Sequence, residues 1–77
     1  MTDLEQKLIT LAAKRFEKDA SQLTAGDDFF EKLGIDSYQA MDMLTEVEET
    51  FDVEIPDYEL SGVTTFGALA EVIGRRL

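Results

Sequence analysis

The stretch LGIDSYQAMDML, residues 33–44, decides how this chain is read. It opens on a leucine–glycine pair, passes an aspartate and a lone serine, and then takes up helical periodicity. Gly34 allows a sharp approach to the next helix, because it carries no Cβ to clash. Asp36 as N-cap and Gln39 at the third helical position form a capping-box pattern, so the spacing predicts a helix beginning there. At about 100° per residue, Ala40, Met43, Leu44, Val47 and Phe51 share one apolar face. Tyr38, Met41, Asp42, Thr45, Glu46 and Glu49 fall mostly on the opposite side. That outer face mixes acids with apolar groups, an unusual composition for a surface that is only solvated.

Upstream, Thr2 followed by Glu5 is a second capping-box pattern, and Leu4, Leu8, Leu11, Ala12 and Phe16 recur at helical spacing. This predicts a first helix ending near Lys18. Residues 19–36, DASQLTAGDDFFEKLGID, keep no sustained period. They read as a long loop with local turns, anchored by Leu23, Phe29 or Phe30, and Leu33. Downstream, Pro56 in DVEIPDYELSG pushes Ile55 out of helical geometry and can itself start a very short helix, which Gly62 would end. Thr64 or Thr65 then caps a last helix, with Phe66, Leu69, Ala70, Ile73 and Leu77 facing inward. Arg75 and Arg76 in its final turn suit the negative end of the helix dipole. The expected fold is all-α: a small four-helix bundle of three longer helices and one short one, with a long first loop, in a single domain over residues 1–77.

Composition removes several functions. The chain has 77 residues with no cysteine and no histidine. A disulfide framework, a thiol nucleophile and a Ser-His-Asp triad are therefore all excluded within it. No DxDxDG loop with a downstream glutamate is present, so no metal site is expected. No apolar run reaches a membrane-spanning length and MTDLEQK is no signal peptide, so the expectation is a cytoplasmic chain without membrane insertion. The formal charge of −10 argues against nucleic acid, whose phosphates need lysine and arginine, and favours partners with basic patches. The charge is also one-sided. From Leu33 to Gly74 there is no lysine or arginine, while ten acids fall there, Asp42, Glu46, Glu48 and Glu49 among them.

Ser37 is where chemistry could sit. Beside a helix start it finds unpaired N–H groups and the positive end of a dipole, a setting that favours a phosphodiester on its hydroxyl. It is equally the kind of serine that helix starts commonly hold. On these physical grounds alone the ordinary structural serine is the simpler reading.

LGIDSYQAMDMLTEVEETFDVEIPD resembles the acyl carrier protein family, whose signature is a Gly-x-Asp-Ser-Leu stretch before an acidic helix. FFEKLGIDS is similar to the family's approach to that site, EVEETFDVEIPD to its helix end and following turn, and VTTFGALAEVI to its last helix. The resemblance implies a freestanding, monomeric carrier with no catalysis of its own. In the family, a phosphopantetheinyl transferase attaches 4′-phosphopantetheine from coenzyme A to the serine, here Ser37, and the arm's thiol carries acyl groups as thioesters. Asp36 matches the motif aspartate, which assists the transferase complex. Docking onto basic partners would fall to Asp42, Glu46, Glu48 and Glu49, with Met41 as an apolar contact. A sheltering pocket for the acyl chain would have Met43, Leu44, Val47, Phe51, Ile55 and Leu60 as walls, although such side chains are usually just core.

The chain departs from the family pattern at Tyr38, where leucine is usual, at Gln39, where an acid is frequent, and at Lys32. These departures leave open both a housekeeping fatty-acid carrier and a specialised one for another lipid or polyketide. Tyr38 itself has two readings, a partner contact or a ring folded back onto Ile35. The rival functions are an acidic helical interaction domain that never carries a group covalently, and a peptidyl carrier.

Overall fold

The computed structural model describes residues 3–77, and the expected Thr2 cap lies outside them. Four α-helices, α1 (Asp3–Arg15), α2 (Phe29–Leu33), α3 (Ser37–Phe51) and α4 (Phe66–Arg76), are joined by two 3₁₀ turns, Ala20–Gln22 and Asp57–Leu60. Three of the helices are long and one is short, as expected. The short one, however, lies inside the first loop, where periodicity showed nothing. Asp28 starts it by accepting the Glu31 N–H at 3.1 Å, and its five residues bury Phe29 and Leu33. The helix expected at Pro56 is the second 3₁₀ turn instead.

Each of the first three helices is closed by the same backbone device. Glu17, Gly34 and Asp52 adopt left-handed conformations with φ of 56°, 66° and 55°. The N–H of the following residue reaches back five positions, from Lys18 to Ala13, Ile35 to Phe30 and Val53 to Glu48. This turn ends α1 at Arg15, short of the expected Lys18. Glycine adopts that conformation without steric cost, which is why Gly34 suits the tight corner into α3.

The core is formed where α1, α3 and α4 meet. Leu8, Ile9 and Ala12 of α1, Met43 and Val47 of α3, and Phe66, Leu69 and Ile73 of α4 are almost completely buried. Phe29 closes one end, its ring 5.9 Å from Phe66 and 4.7 Å from Phe30. The first loop is tied to the start of α4 by backbone bonds, Phe29 N–H to Thr64 O at 2.8 Å and Gly67 N–H to Ala25 O at 2.7 Å. At Gly67 a Cβ would meet the Ala25 carbonyl at 3.0 Å, so glycine allows this close approach. Thr65 is the α4 cap, accepting the Ala68 N–H at 3.1 Å. Leu77, expected inward, is 69 % exposed, because α4 ends at Arg76 and the last residue leaves the apolar stripe. Among the described residues no helix is long and apolar enough to cross a membrane.

Candidate functional site

Ser37 is the first residue of α3, and its side chain is exposed. The helix start is held by the expected reciprocal pair. Asp36 Oδ1 accepts the Gln39 N–H at 2.9 Å, and Gln39 Oε1 accepts the Asp36 N–H at 3.2 Å. The first intrahelical bond is Ala40 N–H to Asp36 O. The Ser37 and Tyr38 N–H groups thus have no hydrogen-bond partner among the described residues, and they point the positive end of a fifteen-residue helix at the serine. Among these groups the Ser37 hydroxyl is exposed to water and has no hydrogen-bond partner among the described residues.

Ser37 also stands at the mouth of an apolar cleft of about 220 Å³. Phe29 and Phe30 of α2 form one side of it, and Ala40, Met41, Met43 and Leu44 of α3 another. Leu60 and Val63, in and after the second 3₁₀ turn, and Leu69 of α4 complete it. Of the six expected pocket walls, Met43, Leu44 and Leu60 line this space. The other three lie elsewhere. Val47 is sealed in the core, and Phe51 faces a shallow groove with Leu11 and Thr50. Ile55 is buried beyond the far end of α3. Phe29, Phe30, Ala40, Val63 and Leu69 went unnamed as walls because they come from several segments, and helical phase on α3 could locate only its own residues.

The acidic residues divide into distinct groups. Asp42 and Glu49 are exposed and carry no ion pair among the described residues. Glu46 is half-buried and ion-paired with Arg15 of α1. Glu48 is turned away, with its Oε2 accepting the N–H of buried Ile55 at 2.7 Å. Its carboxylate secures the chain after α3, a structural task that its place among the acids did not suggest. Tyr38 is 77 % exposed and Met41 52 % exposed, flanking Ser37 on the outer side. The Tyr38 ring therefore makes no anchor against Ile35.

Near the second 3₁₀ turn, Arg76 Nε donates to Glu59 Oε2 at 2.9 Å. The Arg76 guanidinium lowers the Glu59 carboxyl below its usual range, and Glu59 in turn raises Arg76. Asp19, at the first 3₁₀ turn, is likewise lowered by the Ser21 hydroxyl and N–H that it accepts at 2.7 and 2.9 Å.

A family model described as the phosphopantetheine attachment site matches residues 6–73. The chain is 30 % identical over 73 residues to an acyl carrier protein of Rickettsia canadensis (strain McKiel), covering 95 % of this chain and 85 % of that one. It is 34 % identical over 65 residues to an acyl carrier protein of Exiguobacterium sp. (strain ATCC BAA-1283 / AT1b), covering 84 % and 82 %. The solved structure of an acyl carrier protein from Enterococcus faecalis superposes with a TM-score of 0.78 at 28 % identity, over 100 % of both chains.

Proposed function

The chain belongs to the acyl carrier protein family, and we propose that Ser37 is the residue through which it carries its 4′-phosphopantetheine. Members of this family are carriers, not catalysts, and are served by a phosphopantetheinyl transferase and acyl-handling enzymes. The bound group supplies a terminal thiol, on which acyl chains are held as thioesters, and this chain has no cysteine that could serve instead. The observation that carries the assignment is the position of Ser37: an exposed hydroxyl on the first residue of α3, at the mouth of the apolar cleft.

The neighbouring residues divide the remaining work. The Ser37 and Tyr38 N–H groups favour the negative phosphate linkage. Asp36 holds the helix start through one carboxylate oxygen and leaves the other for the transferase complex. Exposed Asp42 and Glu49 steer partners with basic patches, while Tyr38 and Met41 supply apolar contact once those partners arrive. The cleft shelters an aliphatic chain. An engineered cavity of about 150 Å³ accommodates benzene, so a cleft of about 220 Å³ has room for part of an aliphatic chain. This capacity supports a carrier of acyl groups in fatty-acid, lipid or related specialised biosynthesis.

The test is incubation with coenzyme A and a phosphopantetheinyl transferase, followed by intact mass. One added phosphopantetheinyl group is expected on the wild type and none on Ser37→Ala, with helix content unchanged. An unmodified wild type under conditions that load another carrier would refute the assignment.

A further inference from the structure

The second 3₁₀ turn supplies part of the cleft wall and is itself only partly buried. None of its residues, Asp57–Leu60, is buried, and its N-cap Pro56 makes no side-chain cap bond. Its Tyr58 ring is 76 % exposed, and its hydroxyl lies beside the Arg76 guanidinium. The backbone bonds here, Glu59 N–H to Pro56 O and Val63 N–H to Leu60 O, stay within the segment itself. Leu60 and Val63, half-buried, rest on the cleft that they enclose. Two carboxylates join the segment to the helices. Glu48 fixes its beginning at Ile55, and Glu59, in the turn itself, pairs with Arg76 in the last turn of α4. The side chains of that ion pair are 21 % and 33 % exposed, against 73 % and 55 % for Glu71–Arg75 one turn away. The bridge is thus the better shielded of the two, and it spans from the wall to the bundle.

We propose that Glu59 and Arg76 form a latch that positions this 3₁₀ turn as the movable wall of the cleft and so controls how readily an aliphatic guest is admitted. When the pair separates, the wall loosens beyond Ile55, which stays fixed by Glu48, and its internal bonds at the Glu59 and Val63 amides open with it. Leu60 and Val63 then move off Met43 and Leu69, and the cleft opens without disturbing the α1–α3–α4 core. The pair acts through Leu60 and Val63, so both members are positioning residues. The physiological guest, an acyl chain, rests on the function proposed above, but the latch can be tested on the unmodified protein.

Native-state hydrogen exchange of the Val63 and Glu59 amides reports opening of the wall, and the Val47 amide reports the core. In Glu59→Gln and in Arg76→Gln, exchange at Val63 and Glu59 should rise about two- to fivefold, the range expected of one partly exposed ion pair, while Val47 holds its rate. The charge-exchanged double variant, Glu59→Arg with Arg76→Glu, should restore protection. Benzene serves as the apolar probe, its association rate read from the broadening of Leu69 methyl signals. That rate should rise by a similar factor in the single variants and return in the double one. Equal acceleration at Val47 would show a general stabilising contact and overturn the latch. Unchanged exchange at Val63, or an unchanged benzene association rate, would overturn it as well. None of these outcomes depends on Ser37 being modified, so failure of the latch and failure of the attachment assignment are distinguishable.

Discussion

Glu48→Ala removes one carboxylate from a run of acids, and its consequence should differ sharply from that of its neighbour. Glu48 Oε2 accepts the Ile55 N–H at 2.7 Å, and Ile55 is only 6 % exposed. Truncation to alanine leaves that N–H without its partner in a place water reaches poorly. A hydrogen bond to a charged group contributes about 1.5–3 kcal/mol, and an unsatisfied buried donor costs about 1–3 kcal/mol. These describe the same loss, so about 2 kcal/mol is the expected destabilisation. In a domain this small each kcal/mol moves the melting temperature by about 4–8 °C, which gives a fall of about 8–16 °C. Glu49→Ala is the control, since Glu49 is exposed and bonds to nothing among the described residues. Both variants change the formal charge from −10 to −9, so relief of self-repulsion cancels between them. Glu49→Ala should stay within about 0.5 kcal/mol of the parent. Thermal and urea unfolding followed by circular dichroism measure both. A Glu48→Ala variant as stable as Glu49→Ala would refute the assignment of Glu48 to the Ile55 backbone.

Asp36→Ala should cost about 1 kcal/mol by removing the cap on the Gln39 N–H, measured by urea unfolding, and should also slow modification by the transferase. Asp42→Lys should slow association with a basic partner at low salt, with the difference from wild type shrinking as salt rises, in stopped-flow traces across a salt series. Glu17→Gly should raise the melting temperature by several degrees, because a left-handed φ of 56° costs a residue with a Cβ about 1 kcal/mol or more. The Glu59 carboxyl is lowered by Arg76, so the stability it contributes is fully present above the usual glutamate range, about 4.3, and is lost as pH falls through its lower folded value. The gap in melting temperature between wild type and Glu59→Gln should therefore be open at neutral pH and close on acidification, in a pH series of thermal melts.

The parts of this fold legible in the sequence are those held by local pattern. Asp36 and Gln39 stand three apart and bond reciprocally, a device written entirely in adjacent residues. Met43, Leu44 and Val47 follow a helical period, and they are buried on one face. α2 escaped because five residues are too few for a period to show. Ile9, Ala13 and Val72 are buried although the apolar faces did not name them, because α1 and α4 each meet the core over a broader arc than one stripe. Glu48 and Glu49 are chemically identical in sequence. Only the return of the chain past α3, which brings the Ile55 N–H to Glu48, separates a structural acid from an exposed one. The cleft behaved likewise, since Phe30, Val63 and Leu69 converge on it from three segments. The serine's exposure at the helix start agreed with its context, but its chemistry was suggested by family resemblance and not by periodicity.

The central claim concerns one hydroxyl, and tandem mass spectrometry of the protein isolated from its own organism tests it most directly. Fragmentation of the peptide spanning residues 33–44 should place a single phosphopantetheinyl group on Ser37, with any acyl chain attached beyond it. The group found on another residue, or Ser37 wholly unmodified in actively growing cells, would contradict the account.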